Sequence, residues 1–339
     1  NVFTITWTKG TTGTNTLIAI RAGNYPADPV DLTSYTVDPV FGGGTDLGSG
    51  SHVVYNGTGS SVTVTNLTPG ARYYVEASSF NGSAGSENYR ATPTSTDGYT
   101  LMPKPSQASD IAFGALGSAS YAVSYTAGGG LSRLVVAKAG SAVDWTPTNG
   151  TAYSGEHTNI ASAADLGGGN LLVKRGASPF TLAGLSPATD YHLRIFEYQG
   201  TNATLNYNTD AASGNPSNRY TLSAEPAAHG TLAATALSDT NIGLSWSAAT
   251  GESGFVIVRQ TSDSGWTAPS DGTAYAAGAG LGGTIVYAGT APGAGATTDT
   301  LLSASTPYYY RIYPYAYDET PAHATYNYYA GGTPGSASA

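Results

Sequence analysis

The stretch LTPGARYY, Leu67–Tyr74, returns as LSPATDYH at Leu185–His192 and as LSASTPYY at Leu302–Tyr309. Each copy has a leucine followed six residues later by a tyrosine: Leu67 and Tyr73, Leu185 and Tyr191, Leu302 and Tyr308. The copies lie roughly 117 residues apart, and a fixed period of that size means one structural unit used three times. Other segments keep the spacing. RAG (Arg21–Gly23) returns as KAG (Lys138–Gly140), and ENY (Glu87–Tyr89) returns as LNY (Leu205–Tyr207) and YNY (Tyr326–Tyr328). WTPTNGTAY (Trp145–Tyr153) returns as WTAPSDGTAY (Trp266–Tyr275), whereas the first repeat has PVDLTSY (Pro29–Tyr35) there and no tryptophan. The repeats divide as residues 1–100, 101–220 and 221–339. Their linkers, GYTLMPKPSQ and RYTLSAEPAA, are short and contain proline, which limits bending.

The local pattern is strand throughout. VFTITW (Val2–Trp7), YAVSY (Tyr121–Tyr125) and IGLSW (Ile242–Trp246) alternate large with small or polar residues, a period of two that buries one face. LIAIR, LVVAK and FVIVR are denser apolar strands suited to the middle of a sheet. Gly, Pro, Asn and Ser separate these runs, and no ten-residue stretch has helical periodicity with caps. Short strands at regular intervals mean an all-β sandwich or barrel.

The tyrosine of the opening motif then has a physical role. Following a Leu-x-Pro-like turn at the start of a late strand, Tyr73, Tyr191 and Tyr308 resemble a tyrosine corner, ring in the core and hydroxyl on nearby backbone. Val75 and Ala77, Leu193 and Ile195, Tyr310 and Ile312 are expected to follow inward. Tyr74 and Glu76, His192 and Arg194, Tyr309 and Arg311 are expected outward.

With the strand ending in Trp7 or Trp246, the corner tyrosine and the closing NY segment, the whole chain resembles fibronectin type III repeats. It is most similar to the Gly- and Thr-rich version in large secreted bacterial surface proteins, where WTPT-G-T-Y segments are common. The resemblance implies three tandem immunoglobulin-like β-sandwiches, and spacer, adhesin or accessory roles. Asn1 aligns with Ala119, so the first repeat is expected to lack the counterpart of Pro105–Ser118, its N-terminal strand. Two readings follow: a segment of a longer array, or an open edge that accepts a strand from another subunit.

Composition narrows the function classes. Charged residues are 10% of the chain, against a usual ~25%. A net charge of −9 with thinly spread Lys and Arg argues against nucleic acid. No cysteine is present for disulfides or thiolate metal sites, and no apolar run reaches the ~18 residues of a membrane span.

Catalytic patterns are weak. GAGLGG (Gly278–Gly283) fits G-x-G-x-x-G, but a strand, TIVYAG, follows where a dinucleotide site needs a helix, so it reads as a turn. His52, His157, His192, His229 and His323 form no H-x-H or H-x-x-x-H pair. No cofactor is expected. Asp28, Asp31 and Asp38 share an oxygen-rich loop and are candidate calcium ligands, though solvated loop carboxylates are commoner. Matches to N-x-[ST], such as Asn56 and Asn149, are expected by chance in so Ser/Thr-rich a chain.

PYYYRIYPYAYDETPAHATYNYY (Pro307–Tyr329) is the most unusual segment. Tyr308 and Tyr310 are expected in the core; Tyr309 and Tyr313 face out, with Tyr315 and Tyr317 near the strand end beyond Pro314. These four, with Trp266 and Trp145, are the candidate interface or sugar-binding residues, against the alternative that they pack under their own loops. The leading expectation is a non-enzymatic extracellular structural protein, part of a bacterial appendage, filament or surface layer that self-associates. The alternative is an adhesin or carbohydrate-binding accessory region of a larger secreted protein.

Overall fold

The computed structural model describes residues 1–329 and 331–339. The first repeat contributes β1 (Phe3–Thr6), β2 (Asn15–Ala22), β3 (His52–Gly57), β4 (Ser61–Val64), β5 (Arg72–Asn81), β6 (Asn88–Tyr89) and β7 (Thr94–Tyr99). The second contributes β8 (Ser109–Gly114), β9 (Ser120–Thr126), β10 (Ser132–Ala139), β11 (Ala164–Asp165), β12 (Leu171–Arg175), β13 (Phe180–Ala183), β14 (Asp190–Gln199), β15 (Asn206–Tyr207) and β16 (Ser217–Tyr220). The third contributes β17 (Leu232–Ala236), β18 (Ile242–Trp246), β19 (Gly254–Gln260), β20 (Gly278–Gly280), β21 (Gly283–Gly289), β22 (Gly295–Asp299), β23 (Tyr309–Ala316), β24 (Asn327–Tyr328) and β25 (Gly335–Ser338). The helical elements among the described residues are three short 3₁₀ turns.

Each repeat is a two-sheet sandwich. The smaller sheet is β8-β9-β13 in the second repeat and β17-β18-β22 in the third. In the first, the described residues contribute the pair β1-β4. The larger sheet runs β3-β2-β5, β12-β10-β14 and β21-β19-β23. It is completed by a last strand that is broken in two: β6 and β7, β15 and β16, β24 and β25. All pairings between the named strands are antiparallel, as hairpin connections allow, and two isolated bridges, Val40–Thr65 and Asn159–Ala183, are parallel.

The corner tyrosines behave as their position predicts. Tyr73, Tyr191 and Tyr308 are buried, and each hydroxyl accepts an N–H five residues upstream, from Thr68, Ser186 and Ser303 at 3.0, 2.9 and 2.9 Å. Beside them Val75, Leu193, Ile195, Tyr310 and Ile312 fill the cores between the sheets, with Ala77 packed at the margin.

The outer face of the larger sheet departs from expectation. Alternation does turn Tyr313 and Tyr315 away from the inter-sheet core, yet they are only 3% and 4% exposed. A second apolar layer lies over that face in every repeat. Tyr35 and Leu47 cover Leu17, Val53 and Phe80; Trp145, Tyr153 and Leu166 cover Leu134, Val136 and Phe196; Trp266 and Tyr275 cover Val256, Val258 and Tyr313. The covering side chains come from the long loop after the first strand of that sheet. Burial on both faces accounts for the dense apolar strands LIAIR, LVVAK and FVIVR.

The same tyrosine bonds pin that loop three times. Tyr89, Tyr207 and Tyr328 donate their hydroxyls to Thr33, Thr151 and Thr273 carbonyls at 3.0, 2.9 and 3.0 Å. Their N–H groups donate to the side chains of Asp31, Asn149 and Asp271 at 2.7, 2.8 and 2.8 Å. Within the loop, Tyr35, Tyr153 and Tyr275 accept N–H groups of Val30, Thr148 and Ser270.

Two leucines sit where this pattern favours other residues. Leu32 has φ of 62°, where the other repeats place Gly150 and Gly272; Leu301 has φ of 59°, matching Asn66 and Gly184. They are 70% and 95% exposed and so gain little from packing. Leu32→Gly and Leu301→Asn are each expected to raise stability, by up to ~1 kcal/mol, in denaturant melts. Burial pushes the Tyr89 hydroxyl up to about 12, and those of Tyr207, Tyr315 and Tyr328 further. A raised value in the fold means that the folded state prefers the neutral phenol. Stability should hold up to the ordinary tyrosine value of ~10 and fall as pH rises above it, with unfolding and tyrosinate absorbance appearing together.

Candidate functional sites: the joints between repeats and the Trp266 cleft

The two linkers are fastened by one set of contacts. Thr100 and Thr221, at the head of each linker, are buried against the preceding Leu-x-Pro turn. The hydroxyl of Thr100 donates to the Thr68 carbonyl at 2.6 Å and accepts the Ala71 N–H. That of Thr221 donates to the Ser186 carbonyl at 2.7 Å and accepts the Thr189 N–H. Two residues later the backbone passes to the next repeat. The N–H groups of Met102 and Ser223 donate to the carbonyls of Thr204 and Thr325 at 3.0 and 2.9 Å. The carboxamides of Asn206 and Asn327 then donate to the carbonyls of Met102 and Ser223, both at 2.7 Å.

Each joint adds a side-chain contact of its own. Met102 packs between Gly70 and Gly200; a β-carbon at either glycine would approach its side chain within 2.6 or 2.9 Å. At the second joint the Tyr220 and His323 rings stack at 3.8 Å, and His323 pairs with Asp318. Burial alone would raise the Asp318 carboxyl, but hydrogen bonds from His323 and Thr325 hold it below the ordinary value. Asn88 is the first repeat's counterpart of Asn206 and Asn327; it is exposed and its carboxamide has no partner among the described residues.

The sequence candidates fall differently from expectation. Tyr313 and Tyr315 are not surface residues, because the loop after β19 covers their face; Tyr315 donates its hydroxyl to the Gly289 carbonyl at 3.1 Å. Tyr317 is half-buried and stacked on Tyr326, and Tyr309 is half-buried. Trp145 is half-buried edge-on against Tyr153 and Phe196. Asp28, Asp31 and Asp38 are not gathered into a metal site: Asp31 holds the Tyr89 N–H, Asp38 holds that of Val40, and Asp28 is exposed. Among the described residues no three His, Asp or Glu side chains converge in a way that would hold a metal ion. His192 pairs with Asp190, and His52 and His157 meet backbone carbonyls.

Trp266 is different, because it lines a cleft of about 280 Å³ with Arg311, Tyr313, Tyr329, Asp271 and His229. The Arg311 guanidinium lies 4.7 Å from the Trp266 ring centre and 3.6 Å from Asp263, which accepts the indole N–H at 3.0 Å. Burial pushes the Asp271 carboxyl up and the His229 imidazole down. The joint residues were visible in the sequence only as repeat markers, in Tyr-Thr-Leu and Asn-Tyr; the shared spacing of those two motifs was the available signal.

No protein-family model matches the chain, and no curated protein matches it. Among solved structures, the FN1–FN3 domains of chicken CNTN1 match with a TM-score of 0.31 and 14% identity, covering 98% of this chain and 91% of that one. A two-domain fibronectin type III segment of chicken tenascin matches with a TM-score of 0.29 and 9% identity, covering 68% and 98%. At such low scores the fold assignment rests on strand order and register: three tandem fibronectin-like β-sandwiches.

Asn206→Ala and Asn327→Ala each strip a hydrogen bond from a linker carbonyl. A loss of about 1 kcal/mol should speed amide exchange at Met102 and Ser223 roughly fivefold, with Asn88→Ala changing neither. The Asp318 carboxyl is lowered in the fold, so its contribution is present above the ordinary aspartate value of ~3.9 and lost as pH falls through the folded one. Thermal melts should show the wild type more stable than Asp318→Asn at neutral pH, with the two converging in acid.

Proposed function

We propose that the chain is a non-enzymatic structural stretch of an extracellular protein, a stiff array within a surface appendage, filament or surface layer. The observation that carries this reading is the duplicated joint. Thr on one side and Asn on the other leave little free linker, and the same two hydrogen bonds recur at both junctions. A flexible tether between binding domains has no need of such fastening.

Low charge density supports the same reading, since neighbouring copies repel one another weakly. An outward tyrosine face does not, because Tyr313 and Tyr315 are internal and Tyr309 and Tyr317 are half-buried.

Electron microscopy of the native material that carries the chain tests the proposal. Straight rods, filaments or sheets whose repeat fits three end-to-end sandwiches are expected. Freely bending strings ending in a large globule would make these repeats passive spacers and overturn it.

A further inference from the structure

We propose that the Trp266 cleft of the third repeat binds one ring of a neutral, hydroxyl-rich saccharide. The inference is separate from the structural role above and stands on a comparison between repeats within the chain.

In the second repeat the equivalent corner is closed. Gln107 donates its amide to the carbonyls of Asn208 and Asp210 at 2.9 and 3.0 Å and accepts the Glu197 N–H at 3.1 Å. The Arg194 guanidinium donates to the Thr209 carbonyl at 2.6 Å, and Asn208 reaches the Pro105 carbonyl. In the third repeat Pro314 stands in place of Glu197, so the N–H that Gln107 served is gone. His229 takes the Gln107 position and meets Tyr329 edge-on at 4.5 Å, and Tyr329 takes that of Asn208. Aromatic rings thus replace a hydrogen-bonded plug, and space opens beside them.

The lining selects the ligand class. The volume is near the low end of small-molecule pockets, roughly 300–1,000 Å³, which suits a single ring. Trp266 and Tyr329 offer apolar area for the C–H face of a sugar, and the Trp266 N–H is already committed to Asp263. Arg311, Asp271 and Tyr313 in the lining supply donors and acceptors for ring hydroxyls. An anionic ligand would face Asp271 in the lining, and a cationic one would face Arg311, which already lies over the indole. Charges of both signs at such close range leave an uncharged, multiply hydroxylated ring as the compatible occupant. The first repeat has Ser78 in the place of Tyr313 and no tryptophan in the covering loop, so one such site exists per three repeats.

The test uses the full chain labelled with ¹⁵N and four neutral probes: cello-, xylo-, manno- and chitohexaose. At least one is expected to shift the Trp266 indole N–H signal while leaving that of Trp145 in place. Tyr329→Ala, at the half-buried rim, should weaken that binding by ~10-fold or more, and Trp266→Ala should abolish it. Should Trp266→Ala lose its fold, Tyr329→Ala carries the test. Either of two results overturns the proposal: no probe shifts the Trp266 signal at millimolar concentration, or the Tyr329→Ala chain binds as tightly as the wild type.

Discussion

The tyrosine hydroxyl on a backbone group, used as a brace, is the interaction on which the rest of this structure depends. Three kinds of tyrosine do this in each repeat: two tie a turn or loop to a strand of the larger sheet, and the third braces the loop internally. The need for them follows from composition. With charged residues at only 10% of the chain and no cysteine for disulfides, tyrosine braces carry much of the holding of the long loop over the larger sheet. A tyrosine supplies both terms at once: ring area for the core and a directional bond at its far end. Truncating one to phenylalanine leaves a buried backbone group unpaired, which costs more than the bond itself contributes.

Holding that loop has a structural consequence for the array. The larger sheet becomes an inner layer, covered on both faces, and its broken last strand ends beside the linker. The break leaves room for the Asn-Tyr segment, whose tyrosine pins the loop while its asparagine takes the incoming linker carbonyl. Local folding and the coupling of neighbours therefore share one dipeptide. The order and spacing of the repeats are set by the same residues that close each sandwich.

Much of this was legible in the residues. The period of the Leu-to-Tyr motif gives the number of units, and alternation after Tyr73, Tyr191 and Tyr308 gives the inward set. The outward set was not legible in the same way. Alternation states that Tyr313 and Tyr315 leave the inter-sheet core, but not that Trp266 and Tyr275 arrive from a loop to cover them. A period-two pattern reports which face a residue shares, and a covering loop has no period. The cleft was half visible, in Trp266 and Tyr313. Its openness depends on Pro314 and His229 replacing Glu197 and Gln107, a difference that acquires meaning only once those positions are seen side by side.

The central claim is that the joints are fixed. Residual dipolar couplings on the full chain in one alignment medium measure this directly, since each repeat reports its own orientation. The account predicts that all three repeats fit a single alignment tensor. Three tensors of different magnitude would mean that the sandwiches reorient independently, and the linker hydrogen bonds would then not be the fastening described here.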